Sequence, residues 1–463
     1  MKVLVERMKS VHVVRIGILC LSICSTIVSW ASPVSEDAAF ANDLRRIKHV
    51  IIIYQENWSF DGLYGKFPGA DGLAHVGSPF SQVDKAGRAL RVLPPAIGAD
   101  GKPDSRFPEQ LRVEPFDLTR YVPADQTTGD LIHSFYHEQL QIDAGRMDKF
   151  VTWSDNGALT LSYIDATPLP EGVLAREFVL CDDFFHSAFG GSFLNHQFLI
   201  AATPPRWPNA PAKFVSDPAP EHLKDSPVTP DGFAVNTVYS INAPRPYNAN
   251  DPTRLLPEQT HPTIGDRLSE KGVSWKWYSG GWNDALAGHP DPLFQFHHQP
   301  FVYYKNFRDG SAGRAEHLQD ETRFVSDLST DTVPAVSFIK PLGPDNEHPG
   351  YANLLRGQKH VAAIVAAIRQ SRIWNSTLII ITYDENGGRW DHVAPPVIDR
   401  WGPGTRVPTI VVSPFAKRGF VDHTQYETVS ILRLLELRFG LEPLSTRDAN
   451  ANPLINAFQF GSN

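Results

Sequence analysis

The sequence predicts an α/β fold: a doubly wound, mainly parallel sheet with helices on both faces and long surface insertions. Three observations predict it. Short β-branched runs bounded by turn residues alternate with helical stretches along the chain. Several of these runs are apolar on both faces, as strands are when helices cover both sides of a parallel sheet. Polar clusters follow the runs, at the carboxyl ends of strands, where open α/β sheets bind their ligands.

Taken in order, residues 1–31 read as a signal peptide. Lys2, Arg7, Lys9 and Arg15 precede an apolar run, 16–28, that is short for a membrane span. Ser29 and Ala31 supply small residues at −3 and −1 of a cleavage site, and Ala39 and Ala41 frame a second. Such a leader implies export to the periplasm or the medium, with no stable membrane insertion after cleavage. It also carries away Cys20 and Cys24, leaving Cys181 as a lone core thiol and no internal disulfide. Residues 42–463 are then expected to form one domain, large enough to be stable without bridges.

Strands are expected at 49–54, 177–180, 273–278, 335–339, 377–382 and 409–413. Helices are expected at 130–149, 193–202, 357–370 and 424–439. The Pro-rich, weakly periodic segments 76–125 and 202–261 read as surface excursions that wall a site. The formal net charge is −8, and more acidic once a basic leader is removed. A net acidic chain without basic tracts is a poor nucleic-acid binder, so any phosphate it recognises must be held locally.

Four strand ends carry the groups that could do chemistry. Glu56 and Asn57 follow the 49–54 run; a carboxylate and an amide suit a hard divalent ion such as Ca²⁺, Mg²⁺ or Mn²⁺, or else form a capped turn. Asp384 and Glu385 follow the 377–382 run, and adjacent acids after a buried strand repel unless a cation neutralises them. Asp182 and Asp183 follow the 177–180 run, and Gly190-Gly191-Ser192 comes soon after. Ser192 then sits where a helix starts, either as a nucleophile next to phosphate-binding N–H groups or as an N-cap. Lys340 to His348 follows the 335–339 run. Of 17 histidines, His133, His137, His196, His297, His298, His348 and His392 lie near these segments. As imidazolium they could bind a phosphoryl dianion or protonate a leaving oxygen, favouring acid pH. His133 and His137 stand four apart, but the glutamate of H-E-x-x-H is missing, which argues against a zincin.

The strings HVIIIYQENWSFDGLYGKFPG, FFHSAFGGSFLNH, EHPG and TYDENGGRWDHVAPP resemble the bacterial phosphoesterase family that contains phospholipases C and the acid phosphatase A enzymes. That family is similar in fold to the alkaline phosphatase and sulfatase superfamily. The resemblance implies one divalent metal ion held by Glu56, Asn57, Ser192, Asp384 and Glu385, with Ser192 also the nucleophile. It implies that His133, His297, His298 and His348 surround the phosphoryl group, while Asp391 and His392 lie in a motif of structural role. Trp58 stands where phospholipase relatives carry Arg, and Glu385 where some acid phosphatase relatives carry Asp.

The expectation is therefore an exported, metal-assisted acid phosphatase. It would hydrolyse small phosphomonoesters through a phosphoseryl intermediate, without binding nucleic acid. A phospholipase C is the nearest rival, and a non-catalytic exported metal or anion binder is the rival of another class.

Overall fold

A computed structural model describes residues 36–78 and 80–461, so the expected signal peptide lies outside the described residues. Among the described residues one eight-stranded sheet organises the chain. Its strands are β1 His49–Gln55, β2 Val179–Cys181, β3 Trp275–Ser279, β4 Leu318–Asp320, β5 Val336–Lys340, β6 Thr377–Tyr383, β7 Thr409–Val412 and β8 Phe420–Asp422. Their order is β8-β2-β7-β6-β1-β5-β3-β4. Strand β7 runs antiparallel to β2 and β6; the other pairings are parallel. The sheet is thus mainly parallel, as expected.

Strand β1 sits at the centre because both its neighbours demand it. It pairs with β6 from His49↔Thr377 to Gln55↔Tyr383 and with β5 from Val50↔Val336 to Ile53↔Ile339. Ile51, Ile52 and Ile53 are completely buried, each contributing about 1.5–3 kcal/mol of apolar burial. A run apolar on both faces is stable only with cover on both faces.

The main helices are α1 Glu36–Leu44, α2 Phe135–Ile142, α3 Pro170–Glu177, α4 Ser192–Ala201, α5 Leu354–Gln370 and α6 Thr428–Phe439. Adjacent β1 residues reveal the two layers, since successive side chains point to opposite faces. Tyr54 meets α4, its hydroxyl donating to the Asn195 carbonyl at 3.3 Å. Gln55 and its register partner Tyr383 reach the other way, to Glu347 and to Glu171 on α3. Helix α3 packs on α5, while α1 and α4 pack on α6. The Phe40 ring of α1 lies 5.7 Å from Phe458, so the second possible cleavage site falls inside a packed helix. No helix among the described residues is long and apolar enough to cross a membrane.

Several boundaries differ from expectation. The helix expected over 130–149 is only Phe135–Ile142, because Asp155 and Asp130 carboxylates take the Ile132 and Leu131 N–H groups and hold 130–134 outside the helix. The closing helix starts at Thr428 because Tyr426–Glu427 pairs with Phe184–Phe185 instead. The second strand starts at Val179, since Glu177 still belongs to α3. The sheet's outer strands β4 and β8 were not expected; three residues are too few to make a pattern.

Candidate active site

The carboxyl ends of β1, β5 and β6 meet the start of α4 beneath a cavity of about 580 Å³. Ser192, Glu56, His133, His297, His298 and His348 all line it. The 202–261 excursion supplies Asp225, Pro227, Asn236 and Thr237 to its wall. The 76–125 excursion supplies no lining residue, which corrects half of that expectation; it packs behind the wall, where Ile97 bonds to Asn156.

Ser192 is the first residue of α4, and Gly191 before it is the N-cap, with no side-chain capping bond. The serine hydroxyl is therefore free of the capping role that sequence left open. It donates to Asn57 Oδ1 at 3.5 Å. The turn before it must run tight against 133–135: a Cβ on Gly190 would fall 2.5 Å from the Phe135 nitrogen, and Gly190 has φ +84°.

Asn57 is a ligand-type residue in the left-handed region, φ 64°, which asparagine tolerates better than most. Its N–H donates to Asp384 Oδ1 at 3.3 Å and its amide to His133 Nε2 at 3.3 Å. The loop after β6 folds back on itself, with Glu385 N–H donating to Asp384 Oδ1 at 2.9 Å. Glu56, Asp384 and Glu385 are all fully buried. Burial and the nearby Glu56 push Asp384 up to about 7. Burial and Asp384 push Glu385 well above its ordinary range. Burial acts on Glu56 too, but His298 and Lys340 beside it hold its carboxyl well below the usual range.

The histidines fall into two groups. His298 Nε2 lies 2.8 Å from Glu56 Oε1, and its ring stacks at 5.1 Å on His196, whose Nδ1 donates to the Ser192 carbonyl at 2.7 Å. His133 and His348 face each other at 5.7 Å, and His348 stacks on Tyr351 at 4.4 Å. Burial lowers the pKa of His196, His297 and His348 and takes His298 down to about 4. These rings are neutral near pH 7, so imidazolium character has to come from acid or from a bound dianion. His137 does not line the cavity; it pairs with the wall residue Asp225, 3.0 Å distant.

Glu56 Oε2, Asp384 Oδ2 and Glu385 Oε1 are buried without a hydrogen bond among the described residues. Ionised together, Glu56, Asp384 and Glu385 would carry three negative charges against the single buried ammonium of Lys340, which pairs with Glu56, an excess of two that burial penalises. Orphaned oxygens and uncompensated charge fit a divalent cation.

Two segments belong elsewhere. Asp182 Oδ2 accepts the Asp71 N–H at 2.7 Å and lies 2.8 Å from His423. Asp391 pairs with the buried Arg406 at 2.9 Å, and His392 with Asp61 at 2.7 Å. This second cluster ties loops together around a guanidinium, in keeping with a structural role. Lys340, Tyr351 and Glu138 received no role from the sequence, and His196 was named only as one of seven candidate rings. Lys340 had a signal, standing at the end of a buried strand; Glu138 had none.

A family model described as Phosphoesterase family matches residues 47–442. Non-hemolytic phospholipase C of Pseudomonas aeruginosa is 24% identical over 493 aligned residues, covering 95% of this chain and 62% of that protein. Phospholipase C B of Mycobacterium tuberculosis is 24% identical over 490, covering 94% and 82%. The chain thus spans less than two thirds of the Pseudomonas protein. Among solved structures, a protein in the alkaline phosphatase superfamily from Vibrio parahaemolyticus superposes with TM-score 0.34 and 10% identity, over 72% of this chain and 73% of that one.

Proposed function

The chain belongs to the Phosphoesterase family, and from that premise we propose that it is a phosphoric ester hydrolase, an acid phosphatase that uses Ser192 as its nucleophile. The observation that carries the reading is the position of Ser192. The serine opens a helix, lines the cavity and donates to Asn57, which follows Glu56 in the chain and bonds to Asp384, two buried carboxylates with oxygens that have no hydrogen bond.

Glu56, Asn57, Asp384, Glu385 and the Ser192 hydroxyl would hold one divalent ion. When bound, such an ion supplies Lewis acidity, making the serine hydroxyl more acidic and neutralising charge on the phosphoryl oxygens. Ser192 releases its hydroxyl proton to water in the cavity and its Oγ attacks phosphorus in line, forming the Oγ–P bond as the ester O–P bond breaks. The free N–H groups at the start of α4 stabilise the terminal oxygens, as helix N-termini do for phosphate. His133, His297, His298 and His348 line the same cavity, and a protonated ring among them gives its proton to the leaving alcohol oxygen. Water then cleaves the seryl phosphate, releasing inorganic phosphate and restoring the hydroxyl. Several donors around one cavity suit the three terminal oxygens of a monoester dianion. The basic and apolar leader supports export, and the acidic net charge argues against nucleic acid as a partner.

A second reading is phospholipase C, favoured by the names of the relatives at 24% identity. The test is turnover of p-nitrophenyl phosphate against p-nitrophenyl phosphorylcholine from pH 4 to 9, with chelated and metal-reloaded protein. Acid-favoured monoester cleavage is expected, with Ser192→Ala slower by roughly 10³-fold or more and no acid-stable phosphoryl adduct on the Ser192 peptide. Preference for the choline diester would establish the phospholipase reading instead. Tight metal binding with no turnover of either would leave a non-catalytic exported binder.

A further inference from the structure

Lys340 ends β5 and is completely buried. Its ammonium makes an ion pair with Glu56 Oε1 and sits 5.1 Å from the centroid of the Tyr54 ring. A lysine at a strand end ordinarily reaches water along its apolar stem. This one does the reverse, so its charge is there for the site.

Glu56, His196 and His298 present ligand atoms within 4.8 Å of one another. Two imidazole nitrogens and a carboxylate oxygen make a donor set of the kind that holds zinc. His196 Nε2 is buried without a hydrogen bond, and so is Glu56 Oε2. The chain therefore carries the ligands for a second cation next to the Glu56–Asn57–Asp384–Glu385 centre, with Glu56 common to both.

We propose that Lys340 is a built-in cation: its ammonium neutralises the Glu56–His196–His298 corner and so limits the centre to one divalent ion. The proposal rests on the metal reading above. Charge decides it. With an ion bound, Glu56, Asp384 and Glu385 carry three negative charges; one divalent ion and one ammonium neutralise them. A second divalent ion beside Lys340 would leave a buried excess of positive charge, which a low-dielectric interior penalises heavily. Replacing the ammonium by a neutral group of similar length removes that penalty and leaves the donor set intact.

The experiment measures Zn²⁺ retained per folded chain, by elemental analysis after loading at tenfold excess and desalting, with calorimetric titration for Kd. Wild type, Lys340→Arg, Lys340→Met and Lys340→Gln are compared, each first shown to be folded by near-ultraviolet circular dichroism. Lys340→Gln is included because its amide still donates to Glu56, which guards against a misfolded Lys340→Met. One ion is expected in wild type and Lys340→Arg, and two in either neutral variant. Adding His196→Ala to the neutral variant should return the count to one. Two ions in wild type would overturn the proposal, as would one ion in a folded neutral variant with Kd within threefold of wild type. No tight ion in any of them would instead overturn the metal reading on which the proposal rests.

Discussion

Glu138 Oε2 accepts the backbone N–H of Gly190 at 2.6 Å. The other oxygen of that carboxylate takes Asn386 Nδ2 at 3.0 Å, the Thr405 N–H at 3.1 Å and His186 Nε2 at 2.9 Å. A single buried side chain on α2 thus joins the turn that precedes Ser192 to the loop that carries Asp384 and Glu385.

Glu138→Gln should therefore separate chemistry from binding. The amide presents a donor where one of these N–H groups needs an acceptor, a buried mismatch costing about 1–3 kcal/mol. The turn and the loop then lose their common anchor. The expected result is a kcat roughly 10–100-fold lower with KM within about threefold, since small displacements of reacting groups cost rate. Steady-state kinetics on a folded variant decide it; an unchanged kcat would remove Glu138 from the positioning role.

The buried pair Glu171 and Glu347 makes stability depend on pH. The Tyr383 hydroxyl lies within hydrogen-bond distance of both, at 3.1 and 2.6 Å. Burial pushes Glu347 up to about 7 and, with Glu347 beside it, Glu171 well above its ordinary range. Both carboxyls bind protons in the folded chain where the unfolded chain has released them. Their contribution is thus fully present below the unfolded value of 4.5 and is lost as pH rises toward about 7. In metal-loaded protein, where the ligand carboxylates do not titrate, melting temperature should fall between pH 5 and 8. Glu171→Gln keeps a donor toward Glu347 without a titrating proton, so its profile should be flatter, by on the order of 1–3 kcal/mol. Parallel profiles would show that the pair does not share a proton.

The parts of the site that sequence made legible are those attached to buried strands. Glu56, Asn57, Asp384 and Glu385 directly follow runs so apolar that their place and direction in a parallel sheet are nearly forced, and β1–β6 register brings the two ends together. Lys340 was only half legible: its place at the end of a buried strand could be read, but a strand-end lysine normally serves solvent, and only the β5–β1 pairing puts it on Glu56. The 130–134 segment was read as helix because its polar pattern is compatible with one. Two carboxylates, Asp130 and Asp155, override that local preference by binding its N–H groups. Glu138 could not be found at all, since its partners come from 186, 190, 386 and 405.

Gly387 should be far more sensitive than a glycine of equal backbone angle elsewhere. Its φ is +61°, and a Cβ there would lie 2.4 Å from the Asn57 carbonyl oxygen. Gly440, which caps α6, has φ +64° but no atom within 4 Å of its Cβ position. Alanine at 440 therefore bears only the left-handed cost, about 1–2 kcal/mol. Alanine at 387 must also push the backbone of a proposed metal ligand. Gly387→Ala is expected to weaken Mn²⁺ affinity at least tenfold, and Gly440→Ala to leave it within twofold, by calorimetric titration. Equal affinities would mean that Asn57 is not held by this contact.

His348 is the ring expected to set the pH direction of the proposed reaction. Burial lowers its pKa, with Asp130 and Glu56 pulling upward and His133 downward. Its ring is neutral near pH 7 and gains its proton only in acid, so a role in protonating the leaving oxygen makes kcat/KM rise as pH falls. His348→Gln keeps an amide donor at the cavity but has no proton to give. The variant should lose roughly 10–100-fold in kcat/KM at pH 5. It should lose less at pH 8, where the wild-type ring is already neutral, so the two profiles converge toward alkaline pH. A uniform loss across the range would assign the acid dependence to another group, and His133, 5.7 Å away across the same cavity, is the next ring to test.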